Sequence, residues 1–281
     1  MSNKAFCEML FIDVHAHFDD RDYRFPDHPS LVMKKTDLEP LQISLKDANV
    51  ALTVFFVGLA SIREAPGTAG GLFEANQRLL EWCRPHRGKF AACLFIHPSR
   101  VSESVEVIER HHHDPMVVGV GEILPEGHLN GDRFDTGALR EIAECAAKHG
   151  LPMTFHTGTS ENVRQLEWLI NQVPTGQYVL AHAAGEAVRE GLALMDGSAN
   201  VWMDLSVHAW KPGVKEPLLD RADRSRLLFG SDYPIESHRL VLEHLGQIGF
   251  ASHEMEAIAH LNALRLYPKL RRSFFKNAPD V

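Results

Sequence analysis

Eight short apolar runs, rich in β-branched residues, alternate along the chain with longer amphipathic segments, and this alternation most limits the possible folds. The runs recur roughly every 25 to 40 residues, the spacing of repeated strand–helix units around a parallel sheet. They cover residues 9–14, 51–57, 91–96, 116–120, 151–155, 178–181, 201–205 and 226–229. Because no G-x-G-x-x-G follows the first run, the repeats predict an α/β fold of the closed (β/α)8 type, a TIM barrel, over an open doubly wound sheet.

Amphipathic segments between and after these runs predict the helices. In the segment 136–149, Thr136 is suited to cap the helix N-terminus and Gly150 to end it. The other predicted helices span 38–48, 71–83, 101–112, 160–172, 186–195, 215–222, 237–246 and 253–267. No linker divides the chain, so a single domain over residues 1–281 is expected. The long acidic connection 18–37 is either a solvated loop or a cover over the active site.

Composition excludes several classes of protein. Hydrophobic residues make up 44% of the chain and charged residues 23%, which is typical of a globular protein. The net charge of −8 disfavours nucleic-acid binding driven by phosphate attraction. Cys7, Cys83, Cys93 and Cys145 form no C-x-x-C pair, so neither a disulfide framework nor a thiolate zinc site is indicated. No apolar run reaches membrane-spanning length, and a cytoplasmic protein is expected.

Histidine and carboxylate residues end most of the apolar runs, and histidine is abundant, with 17 in the chain. In a barrel of this type, catalytic groups gather at the C-terminal ends of the strands. His15 and His17 are two apart on an extended segment, so both imidazoles face the same side. Six such residues supply the nitrogen and oxygen ligands that zinc or another first-row divalent ion prefers. They are His15, His17, Glu122, His156, His182 and Asp232.

Sequence motifs around these six residues resemble those of the amidohydrolase superfamily, in the branch called amidohydrolase 2. The matching pieces occur in the family's order over nearly the whole chain. They are F-I-D-V-H-A-H at 11–17, G-V-G-E-I at 119–123, T-F-H-T-G at 154–158, L-A-H-A-A-G at 180–185, L-F-G-S-D-Y-P at 228–234 and N-A-L-R-L at 262–266.

The resemblance implies a role for each ligand. His15 and His17 would bind the more buried metal, His156 and His182 the second, and Asp232 the first while it accepts a proton. Glu122 stands where many relatives carry a carboxylated lysine that bridges two metals, and a bridging glutamate also occurs in TatD-type enzymes. Relatives that decarboxylate aromatic or muconate acids tend to use one zinc. If only one metal binds, His182 would instead polarise the substrate oxygen. A buried acid paired with a neighbouring cation is the structural alternative for Glu122.

Four further residues are candidate substrate contacts. His97 follows the third strand and could reach the site or form a hydrogen bond within the mouth. Asp204 and His208 follow the seventh strand, where they are suited to orient a ligand histidine. Arg63 follows the second strand and could pair with a substrate carboxylate or form a surface salt bridge. The histidine triplet at 111–113 precedes Asp-Pro at a helix end, which indicates a solvated helix terminus instead of a metal site.

A metal-dependent hydrolase of a small organic ester, lactone or amide is the function that this set of residues favours. The expected cofactor is one or two divalent ions, zinc first, with manganese or another first-row metal as alternatives. A mononuclear zinc decarboxylase or hydratase of an unsaturated or aromatic acid is the second hypothesis, and a TatD-like nuclease is the third. A non-catalytic barrel that holds metal for stability is the fourth. The expected partner is a small molecule, with no membrane or nucleic acid and with a homo-oligomer open.

Overall fold

A computed structural model of the chain describes residues 9–25, 28–129, 131–220 and 224–274. Eight parallel strands form one sheet in sequence order, which confirms the predicted TIM barrel. They are β1 (Phe11–Phe18), β4 (Val50–Val57), β5 (Phe90–Leu94), β6 (Val117–Ile123), β7 (Met153–Phe155), β8 (Tyr178–Leu180), β9 (Val201–Asp204) and β10 (Leu227–Leu228), while β2 (Tyr23–Phe25) and β3 (His28–Met33) form a separate hairpin.

Helices occupy the connections between the strands. They are α1 (Leu38–Asp47), α2 (Leu59–Glu64), α3 (Gly71–Cys83), α4 (Val101–His111), α5 (Gly137–Lys148), α6 (Ser160–Gln172), α7 (Val188–Gly197), α8 (Lys215–Asp220), α9 (His238–Ile248), α10 (Ser252–Glu256), α11 (Asn262–Leu266) and α12 (Pro268–Phe274). The predicted helix 253–267 is divided by a π-helical stretch, Ala257–Leu261. The predicted helix 215–222 ends at Asp220, and its last two positions lie outside the described residues.

Backbone hydrogen bonds join the last strand segment to the first and close the barrel. Val14 N donates to Phe229 O at 3.0 Å, and Asp232 N donates to His15 O at 2.7 Å. His17 N donates to Tyr233 O at 2.7 Å. The closure therefore places Asp232 beside the two histidines of β1.

Alternating strand residues build two apolar layers. Ile12, Val14 and Phe56 belong to an inner cluster with Tyr267 and Leu270 from the C-terminal segment. The intervening strand residues pack against the outer helices. Burying each such side chain contributes about 1.5–3 kcal/mol. Because the interior is filled, the barrel can bind substrate only at its mouth, where the strands end.

The connection 18–37 contains the β2–β3 hairpin, which the sequence analysis did not predict. Its start is fixed by Asp19, whose buried carboxylate accepts hydrogen bonds from Leu59 N and Ala60 N, both at 3.1 Å. A Cβ at Gly58 would lie 2.1 Å from Asp19 Cγ, so only glycine fits there. The segment is thus packed against the β4–α2 connection. No helix in the described part of the chain is long and apolar enough to cross a membrane.

Candidate active site

The C-terminal ends of the strands bring the six predicted ligands together in two groups. In the first group, His17 Nε2 lies 3.3 Å from His15 Nε2 and 3.1 Å from Asp232 Oδ1. Glu122 Oε2 completes it, 3.7 Å from His15 Nε2 and 3.6 Å from His17 Nε2. Two zinc-bound nitrogens are separated by about 3.3 Å in a tetrahedral site with ordinary bond lengths, so these atoms are spaced as ligands of one ion.

The second group forms around the other oxygen of the same glutamate. Glu122 Oε1 lies 2.9 Å from His156 Nδ1 and 3.1 Å from His182 Nε2. The two histidine nitrogens are 3.1 Å apart. Glu122 is buried. Its carboxylate faces the first group with Oε2 and the second group with Oε1.

The hydrogen bonds of the outer ring nitrogens show that the first two histidines suit a cation. His15 Nδ1 lies 2.9 Å from Asp204 Oδ2, and His17 Nδ1 lies 3.0 Å from the carbonyl oxygen of Val57. Both partners can only accept, so both Nδ1 atoms carry a proton and, in the neutral rings, both Nε2 atoms carry a lone pair. Two lone pairs that face each other repel unless a proton or a metal ion lies between them. The residues present therefore fit a divalent metal ion.

Asp204 orients two of the histidines at once. Besides His15, it accepts from the backbone N of His182 at 3.2 Å and from Ser206 Oγ. Since Ser206 donates its proton to Asp204, its oxygen accepts from His182 Nδ1 at 2.8 Å, which leaves His182 Nε2 free to face Glu122. Partners of this kind fix ring orientation and tautomer at metal sites.

Mutual attraction sets the protonation of the cluster. Burial would lower the pKa of His15, but the carboxylates of Asp204 and Glu122 outweigh it and raise that pKa well above its usual value. Burial would raise the pKa of Glu122, but positive charge on His156 and His15 holds it well below its usual range. Burial would also raise the pKa of Asp232. The hydrogen bond from His17 and the charge of His182 outweigh burial, so the pKa of Asp232 is lowered. The two carboxylates are therefore ionised at neutral pH.

Left-handed backbone conformations occur where β8 and β10 end at the site. His182 has φ of 59°, Ala183 and Ala184 follow at 52° and 58°, and Asp232 has φ of 62°. Such conformations in residues other than glycine are strained and concentrate at functional sites. Packing is also tight, because a Cβ at Gly230 would lie 2.9 Å from the Cβ of His15.

A cavity of about 400 Å³ opens beside the second ligand group. His156 lines it together with His128, whose ring stacks on that of His156 with centroids 4.4 Å apart. Glu126, Arg133 and Glu161 are its charged lining residues besides the histidines. Among the six predicted ligands, His156 is the one that lines this cavity.

The remaining predicted site residues lie at different distances from the cluster. The ring of His208 is 6.2 Å from that of His182, and burial followed by the charges of Lys211 and His182 lowers its pKa to about 4. His97 caps a short 3₁₀ turn through Ser99 and also lines a small cavity that Glu122 borders.

Arg63 contacts the β2–β3 hairpin. It is exposed on α2, and its Nη1 is 3.4 Å from Tyr23 Oη of the hairpin.

Sequence reasoning missed two groups of residues at the site. His128 lies in the β6–α5 connection, and only the folded loop shows that it stacks on His156. The buried Asp13 accepts from Ser231 Oγ at 2.6 Å and contacts His238 Nε2 at 3.1 Å, which fixes the closure between β1 and β10. The position of Asp13 within the first motif was its only signal.

Comparison with known families decides the classification. The amidohydrolase family model matches residues 12–269. The chain belongs to the amidohydrolase family. It is therefore an enzyme of a metal-dependent family, as the motifs predicted. Among curated protein sequences, none matches the chain.

Solved structures with the same fold have little sequence in common with this family member. The 2,6-dihydroxybenzoate decarboxylase from Rhizobium is 15% identical with a TM-score of 0.70, over 92% of this chain and 99% of the other. A manganese-bound dihydroxybenzoic acid decarboxylase from Polaromonas is 12% identical with a TM-score of 0.73, over 92% and 97%. A probable 2-pyrone-4,6-dicarboxylic acid hydrolase from Acinetobacter baumannii is 16% identical with a TM-score of 0.65, over 92% and 99%. At these identities the likeness shows the fold alone.

Proposed function

We propose that the enzyme is a two-metal hydrolase of an uncharged small ester, lactone or amide. The observation that carries the proposal is the position of Glu122, whose two oxygens face two separate ligand groups. His15, His17 and Asp232 would hold one ion, and His156 with His182 the other. Imidazole and carboxylate ligands suit zinc, with manganese as an alternative.

The chain's own residues supply orientation and proton transfer. A pair of bound divalent ions lowers the pKa of a bound water and polarises the substrate oxygen. Asp232 is ionised and buried, so its carboxylate can accept the proton of the attacking water and return it to the leaving group. Asp204 and Ser206 hold His15 and His182 in the tautomers that turn Nε2 inward.

Charge in the cavity favours an uncharged substrate. Among its described lining residues, Arg133 is the one cation apart from histidine, and its guanidinium donates to both oxygens of Asp135 at 2.9 and 2.7 Å. Glu161 and Glu126 lie 3.5 and 4.0 Å from the same guanidinium. Three carboxylates thus surround one arginine, so apart from the bound ions these charged groups would offer a substrate carboxylate no net positive charge.

A decarboxylase of an aromatic acid is the second candidate. The observation in its favour is that several similar folds, including the Rhizobium and Polaromonas proteins, are aromatic-acid decarboxylases. Such an enzyme would need one ion and a cation for the substrate carboxylate. The paired state of Arg133 disfavours it.

Matched substrate panels test the proposal. Neutral esters, lactones and amides are assayed for hydrolysis, and aromatic and unsaturated acids for release of carbon dioxide. We expect hydrolysis of neutral compounds, and in Asp232→Asn a loss of about 10²–10⁴-fold with metal retained. Asp47→Asn, at an exposed carboxylate ending α1, is the matched control. Release of carbon dioxide without hydrolysis would establish the decarboxylase instead.

A further inference from the structure

A second cluster of metal-binding side chains lies at the opposite end of the barrel from the mouth. Glu109 is near the end of α4, His112 follows that helix, and His149 follows α5. Both helices lead into the beginnings of strands, so the cluster is remote from the strand ends that carry the active site. One ligand atom from each of the three residues lies within 4.8 Å of the others.

One ring nitrogen of this cluster lies close to a carboxylate oxygen without a well-aligned hydrogen bond to it. His149 Nε2 is shielded from solvent and lies 3.0 Å from Glu109 Oε2, yet among the described residues it has no partner with hydrogen-bond alignment. The rings of His112 and His149 pack against each other, with centroids 3.6 Å apart. His149 Nε2 and Glu109 Oε2 are close but do not point at each other. This arrangement suits two ligand atoms that point at the same metal ion.

Neighbouring charges leave this position open to a cation. The ammonium of Lys148 contacts the other oxygen of Glu109, Oε1, at 2.8 Å. Lys269 donates to the backbone oxygens of His112 and Val117 at 2.7 and 2.8 Å. Both ammonium groups are therefore engaged away from Glu109 Oε2.

We propose that Glu109, His112 and His149 form a surface site for a first-row divalent ion that links the C-terminal ends of α4 and α5. Two imidazole nitrogens and one carboxylate oxygen are the ligand set of zinc-like ions, whereas magnesium and calcium prefer oxygen alone. The proposal departs from the sequence-based interpretation of the 111–113 triplet as a solvated helix end. Glu109 and His149 change that interpretation, because only the packing of α5 against α4 brings His149 to the triplet.

Zinc titration of the purified holoenzyme, followed by calorimetry, tests this site. We expect the wild type to bind one more Zn²⁺ per chain, at micromolar zinc, than either His149→Gln or His112→Gln. The control is His113→Gln, because His113 is the exposed neighbour in the triplet and lies outside the proposed ligand set. Zinc should raise the Tm of the wild type and of the control more than that of the two ligand variants, because binding stabilises the folded state by mass action.

Catalysis provides the second readout, since the ligand variants should hydrolyse substrate as the wild type does. Equal zinc counts in the wild type and both ligand variants would overturn the proposal. Loss of the ion in His113→Gln as well would also overturn it, since that result describes general histidine binding. If His149→Gln fails to fold, His112→Gln decides the question alone.

Discussion

Replacing Asp204 by Asn should separate metal binding from folding. All four groups that contact this carboxylate are donors: His15 Nδ1, His182 N, and the N and Oγ of Ser206. An asparagine amide has one oxygen and one NH₂ group. The NH₂ group would therefore face N–H or O–H donors that now point at a carboxylate oxygen. If the NH₂ group faces His15, the ring relieves the conflict by moving its proton to Nε2, which blocks the ligand atom.

The expected loss follows from this change of tautomer. Partners behind metal ligands are typically worth 10–100-fold in metal affinity, which corresponds to about 1.4–2.8 kcal/mol. Competition with a chromophoric chelator measures the affinity, and activity at rising metal concentration shows whether excess metal restores turnover. Asp47→Asn is again the control. Unchanged metal affinity in a folded Asp204→Asn protein would refute the argument that Asp204 sets the tautomer of His15.

Three further predictions follow from the site. The chelated enzyme should lose stability as pH rises above about 6.5, because the raised pKa of His15 contributes stability only while that ring stays protonated. Melting curves across pH measure this loss, and the gain in Tm on adding metal should grow with pH. Gly230→Ala should lower metal affinity, because the new methyl group would press on His15, and unchanged affinity would contradict the packing argument. His128→Ala should raise KM more than it lowers kcat, while His128→Phe, which keeps a ring against His156, should restore KM; steady-state kinetics distinguish the cases.

Local patterns in the sequence were enough to predict the barrel and the gathering of the six predicted ligands at one end of it. Strand periodicity fixes which residues end each strand, and barrel closure brings those ends together. The structure places Asp204 behind His15 and His182, in line with the orienting role inferred for it, although that role stays a prediction. Arg63 contacts the tyrosine of the β2–β3 hairpin, and its contact with a substrate carboxylate stays a prediction.

Features that depend on loop conformation or helix packing could not be predicted. His128 gave no signal, since its contact with His156 arises from the path of the β6–α5 connection. The β2–β3 hairpin was missed because its strands are short and lie outside the repeating pattern. Glu109 and His149 are 40 positions apart in the chain, and only the packing of α5 against α4 brings them into contact.

Anomalous diffraction from zinc-grown crystals tests the central claim most directly. The account predicts two zinc peaks about 3.5–4 Å apart on either side of the Glu122 carboxylate, and in Glu122→Gln the loss of at least one of them. A single peak bound by His15, His17 and Asp232, with Glu122 turned away from it, would contradict the two-metal hydrolase and favour the one-metal decarboxylase.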